Sequence, residues 1–215
     1  MDATLIEAIQ HGNLREVQGL LKGGVNLTER DDDGNTLLLI AAAAGQLSVV
    51  MLLLDGGSEL EAKNHAGMNA LLVATAMRSQ EIVRYLVQRG ANVNATDEEG
   101  HTPLMIAART GVAPNVEFLL KSGANANAAN RWGTTALMQA ARSWNINAVK
   151  ALVDSGADPD ATDVLGKRAL SYAKEKGVPP PFLARLLKGD TSSKVARASS
   201  GGGTGEKPWW KFWEK

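Results

Sequence analysis

Glycine recurs at Gly34, Gly67, Gly100, Gly133 and Gly166, always 33 residues after the last. A second glycine series, Gly24, Gly57, Gly90, Gly123 and Gly156, keeps the same step. So do a leucine series from Leu5 to Leu170 and an alanine series from Ala8 to Ala173. A period of this size, held without insertion, predicts a stacked array of small supersecondary units. In such an array each unit touches only its neighbours, and the result is an extended surface that holds other molecules.

One period, residues 97–129, shows what a unit contains. Asp97-Glu98-Glu99-Gly100 reads as a turn, with aspartate at its first position and glycine where φ turns positive. Thr102-Pro103 then suits the start of a helix, threonine as cap and proline in the first turn. Leu104, Ala107 and Ala108 share one side of that helix, and Gly111 closes it. A second helix opens near Pro114, carries Val116, Leu119 and Leu120 inward, and stops at Gly123. Helices of two or three turns do not persist alone in water, so the apolar side of each must meet the next unit. Leucine fills the space between units, and alanine lets helix backbones approach.

These residues, Gly100-His101-Thr102-Pro103-Leu104-Met105-Ile106-Ala107-Ala108 and Val116-Glu117-Phe118-Leu119-Leu120-Lys121-Ser122-Gly123-Ala124-Asn125, resemble the ankyrin repeat family. The resemblance covers residues 3–190. It implies an all-α solenoid of helix-turn-helix units joined by β-hairpin-like turns, with four internal repeats between an N-terminal and a C-terminal capping unit. The other units start Thr36-Leu37-Leu38, Asn69-Ala70-Leu71 and Thr135-Ala136-Leu137 instead of Thr-Pro-Leu. The histidine usual after that leucine is replaced by Leu39, Leu72, Met105 and Met138. Its hydrogen bonds must be absent or made otherwise, which predicts a looser row of turns. The last cap places Phe182 in the phase of Val17, Val50, Val83, Val116 and Val149.

Composition narrows the function. Apolar residues make up 44% of the 215, enough to bury a core. Basic and acidic side chains balance at 23 each, so no general basic field invites nucleic acid. Residues 191–215 hold five basic and two acidic side chains, leaving 18 and 21 in residues 1–190, so body and tail differ in sign. Without cysteine there are no disulfides, thiol nucleophiles or thiolate metal sites. The N-terminus lacks the pattern of a signal peptide, which points to the cytoplasm and leaves the sequons at Asn26 and Asn94 idle. Gly34–Leu54 is uncharged and would attract a membrane reading, but Gly45, Gln46 and Ser48 interrupt it where every unit breaks. Two short buried helices are the expectation.

The family resemblance implies partner contact through the turn tips and the concave side of the first helices. The tips are Asp32, Asp33 and Asn35; His65, Ala66 and Met68; Glu98, Glu99 and His101; Arg131, Trp132 and Thr134; Val164, Leu165 and Lys167. The concave positions are Ala43 and Ala44; Ala76 and Met77; Arg109 and Thr110; Arg142 and Ser143; Glu175 and Lys176. The surface is acidic and apolar in its N-terminal half. Its C-terminal half offers Arg109, Arg131, Trp132, Arg142 and Trp144, the pairing of aromatic and guanidinium groups common at binding anchors. Trp132 either anchors a partner or covers a turn, and Trp144 either anchors or packs beneath a loop. The expectation is a partner with an acidic or aromatic segment docked on this half.

Three domains follow: an ankyrin repeat domain at 1–190, a flexible Gly/Ser linker at 191–207, and an aromatic motif at 208–215. The motif, Pro208-Trp209-Trp210-Lys211-Phe212-Trp213-Glu214-Lys215, holds four of the ten aromatic residues. As a helix, Trp209, Trp210, Phe212 and Trp213 share an arc of about 160°. Such a segment orders on contact with a groove on another protein, with a bilayer surface, where tryptophan and lysine are at home, or with its own repeats. No cofactor or metal is expected. Ser200–Lys207 lacks the residues and framing of a phosphate loop. His11, His65 and His101 have no metal spacing, and Asp31-Asp32-Asp33 lacks the ligand alternation of a calcium loop. The reading is a monomeric, non-enzymatic adaptor with one protein partner on the repeats and a second protein or a membrane at the tail. The alternative is an inhibitor or regulator of a single partner with the tail as an intramolecular latch or membrane-surface anchor.

Overall fold

The computed structural model describes residues 2–188, and these form 12 helices in six antiparallel pairs. The first helices of the pairs are α1 (Ala3–Gln10), α3 (Leu37–Ala43), α5 (Ala70–Ala76), α7 (Pro103–Thr110), α9 (Ala136–Ser143) and α11 (Ala169–Glu175). The second helices are α2 (Leu14–Lys22), α4 (Leu47–Asp55), α6 (Gln80–Gln88), α8 (Ala113–Lys121), α10 (Ile146–Asp154) and α12 (Pro181–Leu186). First helices pack on first helices and second on second along the array, from α1 against α3 to α9 against α11. The linker and the aromatic motif, with Trp209, Trp210, Phe212 and Trp213, lie outside the described residues.

Local chemistry sets the helix starts. The side-chain oxygens of Thr36, Asn69, Thr102 and Thr135, again 33 apart, accept the backbone N–H of Leu39, Leu72, Met105 and Met138. Each such cap satisfies one of the donors that a helix start leaves free, for about 1 kcal/mol. The alanine series from Ala8 to Ala173 is buried throughout, and so is the leucine series from Leu5 to Leu137. Each buried leucine contributes on the order of 2 kcal/mol. Leu170 is only half-buried, since among the described residues no further unit follows to cover it. The stretch 34–54 folds as expected into α3 and α4, parted at Gly45. Among the described residues no helix is long and apolar enough to cross a membrane.

The turns are tied by a device that the 33-residue step also repeats. Asp31, Asn64, Asp97, Asn130 and Asp163 each accept, on Oδ1, the backbone N–H groups two and four residues ahead, at 2.7–3.1 Å. Each turn then bonds to the next through its backbone. His65 N–H donates to the Asp33 carbonyl, Glu98 to Ala66, Arg131 to Glu99 and Val164 to Trp132, all at 3.0–3.1 Å. The turns are thus joined main chain to main chain without the missing histidines, while Leu39, Leu72, Met105 and Met138 are buried. The only β pairing among the described residues is an isolated antiparallel bridge, Ala129 to Thr135.

The last unit departs from the expected phase. Phe182 is 36% exposed, and Leu183 takes the buried place. A strict 33-residue step from α10 would start α12 at residue 179, but Pro179-Pro180-Pro181 delays it to Pro181. Proline fits only the first helical turn, so the inward side slips by one residue and Leu183, Leu186 and Leu187 fill the core.

Candidate functional site

Stacking of turns three, four and five, with α9 and α11, builds a groove that no single unit contains. Trp132 stands at the tip of turn four and is 42% exposed. The stacking bond from Val164 to the Trp132 carbonyl sets the tip of turn five beside it. A groove of about 370 Å³ opens there, lined by Trp132, Val164 and Leu165, by His101 and Glu99 of turn three, and by Gln139, Arg142 and Tyr172 from α9 and α11. The His101 ring lies 5.8 Å from the indole, tilted by 44°. The Arg131 guanidinium sits 5.7 Å over the Trp132 ring, and that of Arg142 sits 5.6 Å over the Tyr172 ring. One side of the groove is therefore aromatic and aliphatic, and cations border it.

Asp163, Tyr172 and Arg142 line the groove and belong to a charged network that extends beyond it. Asp163 is buried, and its second carboxylate oxygen accepts from the Tyr172 hydroxyl at 2.7 Å. That bond, with the N–H groups of Lys167 and Leu165, holds the Asp163 carboxyl below its usual range. Burial, and then the bond to Asp163, push the Tyr172 hydroxyl up. Lys167 donates to Glu175 at 2.8 Å, and Arg142 lies 3.4 Å from the other Glu175 oxygen. The Lys167 hydrogen bond, reinforced by both cations, holds Glu175 below its usual range. Tyr172 is thus fixed through its hydroxyl. Arg142 is held by its place over the Tyr172 ring and by an exposed ion pair, the kind that contributes about 0–1 kcal/mol and exchanges readily.

The groove unites Glu99, His101, Trp132 and Arg142 of the expected binding residues, and Arg131 lies over the Trp132 ring at its border. Glu98 lies exposed at the tip beside Glu99, and Arg109 lies exposed on α7. The others sit elsewhere. Asp32 and Asp33 are exposed at turn one, and the His65 ring lies over Gly34. Met68 is half-buried, and Met77 is exposed at the end of α5. Trp144 packs: its indole N–H donates to the Ala173 carbonyl at 2.8 Å and Lys176 covers its ring at 5.2 Å. Asp163 and Tyr172 were not among the expected binding residues. Both were traceable by column. Asp163 continues the series of turn acceptors, and Tyr172 ends a column that reads Ile40, Val73, Ile106, Gln139, turning polar at these units. A second depression of about 470 Å³ between α8 and α10 has no aromatic lining.

A family model described as ankyrin repeats (3 copies) matches residues 5–97 and 92–163. No curated protein matches the chain.

Proposed function

The chain belongs to the ankyrin repeat family, whose repeats generally mediate protein–protein interaction, and from that premise we propose that it is a cytoplasmic, monomeric adaptor. The repeats hold a partner in the Trp132 groove. The motif at 208–215 docks a second protein or a membrane surface. One observation carries the reading: Trp132 is left half-exposed between two arginines and the bare tips Val164 and Leu165. A large aromatic group beside a desolvated pocket is the usual energetic centre of an interface. Arg131 and Arg142 suit a segment that combines a carboxylate with an aromatic or aliphatic side chain, since guanidinium binds carboxylate in a fork and stacks on rings. An incoming carboxylate would take Arg142 from Glu175 at small cost.

The test is affinity capture with three baits: the full chain, the full chain carrying Trp132→Ala and Arg142→Ala, and a chain ending at 190. Both substituted side chains face solvent, so the double variant is expected to keep its folding stability within about 1 kcal/mol while capture falls at least tenfold. Partners missing only from the shorter bait belong to the tail. A double variant that captures every partner as before refutes the groove. An adaptor holds two partners at once, whereas a regulator holds one and alters its activity.

A further inference from the structure

The free end of a stacked array needs a face that water wets. The fifth turn presents the reverse. Tip residues run Asp32-Asp33, His65-Ala66, Glu98-Glu99 and Arg131-Trp132, and then Val164-Leu165. Val164 and Leu165 are 68% and 76% exposed. At every earlier turn the second tip residue gives its carbonyl to the following turn, and a Cβ on the turn glycine would touch a side chain or main chain of that turn. Above Gly166 nothing among the described residues lies within 4 Å. Val178 and Phe182 add exposed apolar surface in the same final unit. The end of the array that most needs polar cover is thus its most apolar end, and the chain continues from it at Lys188.

We propose that the chain's own segment 208–215 covers this end, seating one or two of its indoles in the groove against Trp132, Val164 and Leu165. The groove, about 370 Å³, falls in the size range of ligand sites. Length permits the contact. Ten residues lead from the end of α10 at Asp154 to the tip at Val164, and residues 189–207 offer about twice that. A Gly/Ser-rich chain of that length spans about 25 Å on average. The charges match as well: Lys211 and Lys215 meet a surface that carries Glu98 and Glu99, and Glu214 meets Arg142 and Lys167. Cation over indole, already present in the groove at Arg131, recurs with each tryptophan seated there. The tail then competes with any partner for the groove, and a partner that binds releases the tail for its second contact. The inference rests on the reading of this groove as a binding surface.

The experiment compares the intact chain with a full-length variant in which Trp209, Trp210, Phe212 and Trp213 are alanine, by NMR and amide exchange. A linked weak ligand acts at an effective concentration near the millimolar range, so opening is expected to speed exchange at Val164–Lys167 by about two- to tenfold. The Trp132 indole signal is expected to move with it. Full-length Val164→Ser with Leu165→Ser is expected to move the tail tryptophan signals in turn, independently of protein concentration. Unmoved groove signals overturn the proposal. So do shifts that grow with concentration as the mass doubles, which assign the site to the tail of a second copy. So does a tail that binds anionic vesicles while the groove stays as it was. These outcomes are separate from the partner test: capture that survives Trp132→Ala with Arg142→Ala refutes the binding surface itself.

Discussion

Replacing Gly67 with alanine should destabilise the protein far more than the same change at Gly166, although the two backbones are alike. Their φ angles are +73° and +71°. Either alanine suffers the left-handed conformation, which costs an L-residue about 1–2 kcal/mol, partly offset because alanine loses less backbone entropy on folding. Both substitutions therefore carry about 1 kcal/mol. They differ in what the new methyl meets. At Gly67 it would lie 2.6 Å from the Glu98 nitrogen and 3.0 Å from the Asp97 carbonyl carbon. Those are main-chain atoms of the next turn and cannot rotate away. Turn three must retreat, at about 1–3 kcal/mol for overpacking. Its bond from Glu98 to the Ala66 carbonyl, 3.1 Å, stretches for about 1 kcal/mol more. The sum for Gly67→Ala is about 3–5 kcal/mol. Gly166 ends the row and has nothing within 4 Å among the described residues, so about 1 kcal/mol remains. Gly90→Ala controls for position in the array: φ is +91° and the space is again open, in an internal unit. Urea unfolding followed by far-UV circular dichroism reads all three. Equal losses at Gly67 and Gly166, or a Gly90→Ala loss as large as that of Gly67→Ala, would refute the account of turns packed main chain to main chain.

Three further outcomes are expected. Asn115 is buried in α8 and its amide nitrogen has no hydrogen-bond partner among the described residues, so Asn115→Val should raise the unfolding free energy by about 1–2 kcal/mol in the same titration. Trp144 holds φ +58° where Gly12, Gly45 and Gly111 stand in other units, so Trp144→Gly should be about 1 kcal/mol less damaging than Trp144→Ala, since both lose the indole but only alanine keeps the strain. The Asp163 carboxyl is held below its unfolded value by the Tyr172 hydroxyl, so its contribution is present above about pH 4 and is lost as pH falls through the lower folded value. Asp163→Asn keeps the turn acceptor, as Asn64 and Asn130 do, but cannot ionise, so it should lose that contribution at neutral pH, approach the parent at low pH and so flatten the acid side of a stability–pH curve; an unchanged acid side would count against the Tyr172 bond.

The architecture was readable because each unit is held by contacts within itself and to its immediate neighbours. A position that must be leucine, alanine, a cap or a turn acceptor in one unit meets the same surroundings 33 residues later, so each requirement is written four to six times over. Trp144 and Phe182 show where that logic stops. Trp144 replaces a glycine, and whether its indole would stand out or fold in was settled by the carbonyl of Ala173, one unit away. Phe182 keeps the valine phase in the sequence, yet the prolines before it shift the helix start and turn it outward. The row of turns gave the clearest contrast with expectation. Loss of the usual histidine suggested slack, but the stacking bonds run between main chains, and main-chain donors are the same whatever the side chain.

By itself the order of residues determined the unit, its length, its two helices and the sides they bury, because those follow from caps, turns and apolar spacing within one period. It also placed arginine and tryptophan in the fourth and fifth units. What it left open was which of those side chains share one groove. Glu99, Trp132, Arg142, Leu165 and Tyr172 come from three turns and two helices, and only stacking of whole units makes them neighbours. Nor could spacing show that the fifth turn, alike in backbone to the other four, ends uncovered. Exposure is a property of what lies next in space, and after Gly166 no further unit is stacked among the described residues.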